Sequence, residues 1–322
     1  MKKQGMGTLL LAAAILAPVA DGWTQDYPNR PIRLVNPFSP GGSTDLVARV
    51  LTQKFSESLG QTVIVDNKPG GGTNLGTEIV VKSAPDGYTI LHATSSLAIN
   101  VSLYKKRTFD PITDLTPIGL LVETINVLAV NPSVKAGNVR ELIELARANP
   151  GRLSYGSSGS GATNHLGMEL FKTMAKVDIM HSPYKGGGQA FNDLLGGQIQ
   201  VMFNPSSSLL PHHRSGKLRV LAVGSKKRID GLDFPTVSES GLAGFESTVW
   251  YSMFAPAGTP RPIVQRLNAE INRALKDKAV IDQFGAVGLY PMGGTPEELG
   301  ALLKREIEHW AKVVRDSGAT VD

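Results

Sequence analysis

Short strands and amphipathic helices alternate along this chain, and that alternation limits the fold more than any other feature. Residues 32–37 form a β-branched run, a helix with an apolar face begins near Thr44, and residues 62–66 form the next strand. A helix is predicted over 74–83 and a strand over 88–93. The order strand–helix–strand–helix–strand is typical of a doubly wound parallel sheet, so the chain predicts an α/β fold.

A long apolar strand, predicted over 118–130, leads from this unit into a second α/β set. The second set opens with a helix capped by Asn138 and continues with strands over 153–156, 178–183, 199–203 and 218–223 and helices over 164–174 and 189–195. A β run over 248–255 and two amphipathic helices, the last opened by a capping box at 295–298, are expected to return to the first unit. Two crossings between lobes predict a hinged cleft that closes on a small molecule.

The predicted organisation is a signal peptide followed by two lobes. Residues 1–22 form the signal peptide, 23–122 together with 246–322 form lobe 1, and 123–245 form lobe 2. Each lobe is expected to be a mostly parallel sheet flanked by helices.

The N-terminus has the pattern of an export signal. Lys2 and Lys3 precede an apolar stretch from Thr8 to Ala20, which is shorter than the roughly 20 residues that a membrane-spanning helix needs. Small residues at the two positions that a signal peptidase reads predict cleavage after Gly22, and a short membrane anchor is the alternative. An exported chain without cysteine is typical of the bacterial periplasm.

Composition and motifs exclude several classes of function. Because the chain has no cysteine, it offers no iron–sulfur cluster ligands, no cysteine-ligated zinc and no thiol nucleophile. Its six histidines lack zinc-binding spacing, so we expect no metal. No P-loop motif occurs, and Gly159-Ser160-Gly161 departs from the dinucleotide motif at Asn164, so we expect no cofactor. The net charge of +5 comes from dispersed Lys and Arg, which does not indicate nucleic-acid binding.

Two Gly/Ser loops follow strands and lead into helices, and they are the strongest candidates for a binding site. The first covers 37–45 and the second 155–165, and their glycines let a ligand approach the backbone closely. The free N–H groups and the dipole of the helix that follows favour an anion, and Ser and Thr hydroxyls add donors. One such loop from each lobe would suit a carboxylate. On spacing alone, ordinary strand-to-helix turns with Ser or Thr caps are the alternative.

Further candidates lie where other strands end, the edge at which ligands bind in parallel sheets. Lys185 is suited to neutralise an acidic ligand and Tyr184 to hydrogen-bond it, whereas an exposed lysine and a half-buried tyrosine are the alternative. Asn204 ends the next strand. Phe38 would form a wall of the pocket or pack beneath the first loop, and Asp45 is either a site residue or a cap in the first turn of its helix.

A series of motifs in fixed order carries a resemblance to a known family. They are PFSPGGSTD (37–45), VDNKPGGGTNLG (65–76), DGYTIL (86–91), YGSSGSGATNHL (155–166), PYKGGGQAFNDLLGGQIQVMF (183–203), LRVLAVGS (218–225) and APAGTP (255–260). Through them the chain resembles the Bug family, the periplasmic solute-binding proteins of tripartite tricarboxylate transporters. The resemblance implies a two-lobed type II periplasmic-binding-protein fold, no catalysis, and a small carboxylate ligand such as a dicarboxylate, an amino acid or an aromatic acid.

The resemblance also implies which residues contact the ligand carboxylate, largely through backbone N–H groups, hydroxyls and bridging water. They are Ser39, Gly41, Gly42, Ser43, Thr44 and Asp45 in the first loop, and Ser157, Ser158, Gly161, Thr163 and Asn164 in the second. Tyr184, Lys185 and Asn204 complete the set. An Asp in place of Asn204 would suit an amine-bearing ligand, so a plain acid is favoured over an amino acid.

We therefore expect a soluble, monomeric periplasmic receptor that delivers a small carboxylate to inner-membrane transporter subunits. A second hypothesis keeps the same cleft but makes the protein a ligand sensor that docks on a membrane signalling protein. A third is an exported hydrolase that uses Ser158 and His165, although the chain lacks a nucleophile elbow and an evident acidic partner.

Overall fold

The computed structural model describes residues 27–41, 43–184, 187–229 and 231–321. The predicted signal peptide and its cleavage position at Gly22 lie outside these ranges. Within them, no helix combines the length and the apolar character that crossing a membrane requires.

The first α/β unit alternates strands and helices as predicted. Its elements are β1 (Ile32–Asn36), α1 (Ser43–Leu59), β2 (Val63–Asn67), α2 (Asn74–Val81), β3 (Thr89–Thr94) and α3 (Ser96–Leu103), and the long strand β4 (Leu115–Val130) follows. α1 buries Leu51 and Phe55 against the sheet. It ends before Gly60, whose φ of 67° lies in the left-handed region that glycine adopts without a steric penalty.

The second unit repeats the alternation, and the chain then returns through one more strand and a group of helices. The elements of this second unit are α4 (Val139–Ala148), β5 (Ser154–Ser157), α5 (Thr163–Ala175), β6 (Met180–Pro183), α6 (Gly187–Gly196), β7 (Val201–Pro205), α7 (Ser206–Arg214) and β8 (Arg219–Val223). The final elements are β9 (Thr248–Pro256), α8 (Arg261–Ala274), α9 (Lys278–Ala286), β10 (Leu289–Pro291) and α10 (Pro296–Ser317).

Three helices depart from the sequence prediction. α3 was not predicted because Leu97, Ala98 and Ile99 are consecutive, apolar and all buried, so its sequence lacks an amphipathic period. α7 is short and contains Pro211, which usually argues against a helix. With α9 present, the chain ends in three helices rather than two.

The strands form one continuous sheet with parallel wings and an antiparallel centre. Its order is β2-β1-β3-β9-β4-β7-β5-β6, and β8 and β10 pair with β4 off this path. β1 pairs in parallel with β2 and β3, and β5 pairs in parallel with β6 and β7. β4 and β9 pair antiparallel with each other and join the two wings. The carboxyl ends of the parallel strands in both wings are therefore available to one site.

The C-terminal helix α10 contacts both α/β units. It packs against α3 and β4 and also against α5, while α8 packs against α1 and β4. The buried face of α10 includes Leu299, Leu303 and Trp310. α8 and α10 thus pack on the first unit, and α10 additionally covers a helix of the second unit.

Side-chain caps begin the helices that the sequence marked most clearly. The Asn138 side chain accepts a hydrogen bond from the Glu141 N–H at the start of α4. Thr295 and Glu298 form the predicted capping box, with Pro296 in the first helical position of α10. These caps satisfy backbone N–H groups that have no acceptor within the helix.

We expect Thr295→Ala to lower the free energy of unfolding by about 1 kcal/mol, because it removes the acceptor of the Glu298 N–H. Thr295→Ser keeps the hydroxyl and serves as the matched control. Urea denaturation of both variants measures the difference. Equal stability of the alanine and serine variants would show that the cap contributes nothing.

Candidate functional site

A cavity of about 510 Å³ lies where the loops after β1, β3, β5 and β7 converge. Its lining is Phe38, Ser39, Ser43, Thr44, Thr94, Ser96, Ser158, Ala162, Thr163, Asn164, Gly188, Phe191, Asn204, Pro205, Ser208, Val249 and Tyr251. These residues come from both of the segments that were predicted to form lobe 1 and lobe 2.

Five helices present their N-terminal turn to this cavity. α1 begins at Ser43, α3 at Ser96 and α5 at Thr163, and each of these residues lines the cavity. α6 and α7 contribute Gly188 and Ser208 from their first turns. Each helix N-terminus carries about half a positive charge and N–H groups without an intrahelical acceptor. The backbone at these helix starts therefore favours an anion in the cavity.

The described side chains of the cavity add uncharged hydrogen-bonding groups. None of the lining residues that the structure describes is Asp, Glu, Lys, Arg or His. Hydroxyls surround the space, and Phe38, Phe191 and Val249 give it apolar surface. Such a lining suits an anion that also carries hydrocarbon. Within the described ranges, no cluster of His, Asp or Glu is arranged to hold a metal ion.

Asp45 braces the first Gly/Ser loop instead of lining the cavity. Its carboxylate is buried and accepts hydrogen bonds from the Gly41 N–H at 3.1 Å, Arg49 Nε at 2.8 Å and Asn67 Nδ2 at 3.1 Å. Burial alone would raise the pKa of Asp45, but the hydrogen bonds from these three groups outweigh it and lower the pKa. Gly41 has a φ of 88°, a backbone conformation that favours glycine.

Tyr251 fixes the start of α1 from the opposite side. Its hydroxyl lies 3.0 Å from Ser43 Oγ, and burial raises the pKa of Tyr251 to about 12, so it stays protonated at neutral pH. In the sheet, Tyr251 of β9 is paired with Thr94 of β3, which also lines the cavity. The sequence pattern predicts this strand but carries no signal that its tyrosine lines the cavity.

A chain of amides and hydroxyls crosses the second Gly/Ser loop. The Ser158 N–H donates to Asn164 Oδ1 at 3.2 Å, and Asn164 Nδ2 donates to Ser158 Oγ at 3.0 Å. Asn164 Nδ2 also donates to Asn204 Oδ1 at 3.1 Å, and Asn204 Nδ2 donates to Ser208 Oγ at 2.9 Å. These contacts fix the orientation of both amide groups. Asn204 Oδ1 already accepts a hydrogen bond from Asn164.

The hydrolase hypothesis is wrong in its geometry. The hydroxyl of Ser158 bonds to Asn164, and His165 instead accepts the Gly161 N–H at 3.1 Å. A Ser–His contact does exist between Ser157 and His181, at 2.7 Å, but Ser157 is fully buried and does not line the cavity. It therefore has no access to a substrate.

The structure brings together part of the predicted site set. Phe38, Ser39, Ser43, Thr44, Ser158, Thr163, Asn164 and Asn204 line one cavity, whereas Gly41, Asp45, Ser157, Gly161 and Tyr184 do not. The Tyr184 hydroxyl donates to Asp193 at 2.6 Å, which raises the pKa of Tyr184 to about 12. Gly42 and Lys185 lie outside the described residues.

Several lining residues were absent from the predicted set. They are Thr94, Ser96, Ala162, Gly188, Phe191, Pro205, Ser208, Val249 and Tyr251. Ser96 and Ser208 lie in the first turns of α3 and α7, two helices that the sequence pattern did not reveal, and Thr94 and Pro205 end the strands just before them. A short helix predicted after β3 and after β7 would have included Ser96 and Ser208.

Comparison with known protein families shows what kind of protein has this cavity. The model described as the tripartite tricarboxylate transporter family receptor, TctC, matches residues 47–319. The chain belongs to the TctC family. Protein BugT of Bordetella pertussis, a relative, is 39% identical to it over 317 residues, which cover 98% of this chain and 96% of BugT.

Solved structures of TctC-type proteins have the same fold. R. palustris Rpa4515 with adipate is 36% identical and superimposes with a TM-score of 0.84, covering 92% of this chain and 99% of that one. MatC from Rhodopseudomonas palustris with bound malate is 31% identical with a TM-score of 0.81, covering 89% and 100%. This TctC protein is therefore a periplasmic solute-binding receptor with the type II periplasmic-binding fold, and it is not an enzyme. The resemblance to the Bug family is confirmed.

We expect Asp45→Asn to lower the free energy of unfolding at pH 7 by about 1–3 kcal/mol. The amide lacks the charge that pairs with Arg49, and its single oxygen can accept fewer hydrogen bonds than the three that the carboxylate accepts. The folded-state pKa of Asp45 is lowered, so its stabilisation is present above roughly pH 4 and is lost as the pH falls through the folded-state pKa. The difference between wild type and variant should therefore shrink in acid.

The matched control is Asp316→Asn, which removes an acid that pairs with Lys312 on the surface of α10. Exposed pairs of this kind contribute less than about 1 kcal/mol. Urea denaturation at pH 7 and pH 3 compares the two variants. A loss at Asp45 no larger than at Asp316 would show that Asp45 does not brace the loop.

Proposed function

We propose that this TctC receptor binds a small dicarboxylate in the 510 Å³ cavity and delivers it to a tripartite transporter in the inner membrane. The observation that carries the proposal is the convergence of five helix N-termini on a cavity whose described lining has no charged side chain. Backbone N–H groups and hydroxyls in a desolvated space form charge-assisted hydrogen bonds to carboxylate oxygens.

The distribution of these helices supports a ligand with two acidic ends. α1 and α3 belong to predicted lobe 1, and α5, α6 and α7 belong to predicted lobe 2, so each side supplies its own anion-binding backbone. Phe38, Phe191 and Val249 offer apolar contact to a hydrocarbon segment between the ends. Rpa4515 and MatC, which share the fold, are solved with adipate and malate. Both ligands have this chemistry.

An amino-acid ligand is less well accommodated. Its ammonium group would require an acceptor or an acid, and no described lining residue is acidic. Asn204 Oδ1 already accepts from Asn164 Nδ2. The residues present therefore favour a plain acid over an amino acid.

We further propose how the chain is exported and how its cleft closes. Cleavage after Gly22 releases the mature receptor into the periplasm, where it acts as a monomer. Lobe 1 comprises 23–122 and 246–322, lobe 2 comprises 123–245, and bending of β4 and β9 at the crossings closes the cavity on the ligand. The ligand-bound closed form is the one that the transporter recognises.

A thermal-shift screen of the mature chain tests the ligand class. The protein is first unfolded and refolded to remove any acid that co-purified with it, and is then mixed with mono-, di- and tricarboxylates, aromatic acids and amino acids. A ligand at 100 times its dissociation constant adds about 2.7 kcal/mol of stability, so the melting temperature should rise by several degrees with dicarboxylates such as adipate. Adipamide, which has the same chain without charge, is the matched control and should give no rise. Stabilisation by adipamide or by amino acids alone would contradict the proposal.

We expect Asn204→Asp to weaken adipate binding at least about tenfold, because it introduces a negative charge where Asn164 and Ser208 meet the cavity. Asn138→Asp introduces the same charge at a helix cap that does not line the cavity and should change affinity less than about twofold. Isothermal titration calorimetry measures both. Unchanged affinity in Asn204→Asp would place the carboxylates elsewhere.

A further inference from the structure

Two stacked histidines lie directly behind the second Gly/Ser loop. His165 of α5 and His181 of β6 stack with ring centroids 4.1 Å apart, and Tyr155 of β5 stacks on His181 at 4.8 Å. His165 is only 4% exposed, and Tyr155 is fully buried. Neither histidine lines the cavity, so ligand contact does not explain the pair.

Each imidazole holds one end of the loop. His165 Nδ1 accepts the Gly161 N–H at 3.1 Å, so this ring carries its proton on Nε2. His181 Nε2 lies 2.7 Å from Ser157 Oγ, and the Ser157 hydroxyl also accepts the Gly159 N–H at 3.2 Å. The pair therefore fixes the backbone on both sides of Ser158, which lines the cavity.

The loop is closed in from its other side as well. Gly161 has a φ of 84°, and a Cβ built on it would lie 2.5 Å from Leu103 Cδ2 and 3.3 Å from Val321 Cγ1. Gly161 is thus packed between these side chains and the imidazole of His165. Movement of that ring would shift the loop that presents Ser158 and the first turn of α5 to the cavity.

We propose that His165 and His181, in their neutral forms, are positioning residues that hold the second Gly/Ser loop in its ligand-binding conformation, and that their protonation weakens ligand binding. This inference rests on the proposed function, since it concerns the same cavity. The two histidines do not line the cavity, and their protonation would make ligand binding depend on pH in a way that the described lining residues would not.

The physical reason is the change of hydrogen-bonding role on protonation. A protonated imidazole has N–H groups at both nitrogens, so His165 could no longer accept the Gly161 N–H. Two imidazolium rings stacked at 4.1 Å would also repel each other. Both effects push the loop away from the position seen here.

The surroundings keep the pair neutral at physiological pH. Burial, and after it the charge of the neighbouring His181, lower the pKa of His165 to about 4. Burial also lowers the pKa of His181. Among the described residues, the other charged or titratable groups acting on the pair are Glu169, Lys172 and Tyr155. Glu169 raises both pKa values, Lys172 lowers both, and Glu169 is itself bonded to Lys172 and to the Tyr155 hydroxyl.

The sign of the pH effect follows from these pKa directions. A histidine whose folded-state pKa lies below its ordinary value of about 6.5 contributes stability that is complete above that value and is lost as the pH falls towards the folded-state pKa. Ligand affinity, which needs the neutral pair in the folded protein, should stay constant near neutral pH and fall as the pH drops through about 4.

The test uses adipate as the probe, with isothermal titration calorimetry at pH 7.5. His165→Phe keeps a ring in the stack but removes the acceptor of the Gly161 N–H, and it should raise the dissociation constant about tenfold. His165→Asn keeps an acceptor in the position of Nδ1 and should restore affinity to within about threefold of wild type. For the second histidine, His181→Phe and His181→Gln form the equivalent pair. His309→Phe, an exposed ring on α10, is the control and should have no effect.

Nuclear magnetic resonance of the ligand-free protein tests the inference independently of adipate. On acidification of the wild-type chain, the Gly161 amide signal should move together with protonation of His165, and it should shift at pH 7.5 in His165→Phe but not in His165→Asn. A Gly161 signal that stays in place while His165 titrates, or an asparagine variant as impaired as the phenylalanine one, would overturn the inference. If adipate fails to bind the wild type while Gly161 follows His165, the ligand proposal fails and the positioning role stands.

Discussion

The antiparallel pairing of β4 with β9 is the contact on which the rest of the structure depends. It runs from the Leu115–Pro256 pair to the Ile125–Thr248 pair. Beyond that point β4 leaves β9 and pairs with β7 and β8. One parallel wing attaches through β3 to β9, and the other attaches through β7 to β4. Because these two strands are shared, the carboxyl ends of both wings meet at one cavity.

That arrangement explains why the described lining of the candidate site combines helix N-termini with uncharged side chains. Each lining helix starts a few residues after a strand, so its N-terminal turn lies at the carboxyl edge of the sheet. Several such turns give a fixed positive potential that needs no ionised side chain and does not titrate. Asp45, an acid in the first turn of α1, is buried and paired with Arg49, and it accepts the Gly41 N–H of its own loop.

The two Gly/Ser loops are held in place by different chemistry. The first is braced by a carboxylate with a lowered pKa, which stays ionised to a lower pH than an ordinary aspartate. The second is braced by neutral imidazoles with lowered pKa values, which must avoid protonation to keep their role. Both braces therefore work at neutral pH and weaken in acid, and each acts on the backbone of a loop that also contributes lining residues to the cavity.

Local patterns in the sequence predicted the alternation of strands and helices, the caps at Asn138 and Thr295, and the two Gly/Ser loops. Each of these features depends on residues that are only a few positions apart in the chain. The patterns failed at α3 and α7, because burial on all sides removes the amphipathic period and a proline inside a helix argues against it. Only the tertiary structure decided which way each side chain faces: Asp45 turns to its own loop, Tyr251 reaches Ser43 from a distant strand, and His181 lies under Ser157. These contacts join residues from separate elements, and their geometry is set by how the strands of the sheet are ordered, which no local pattern contains.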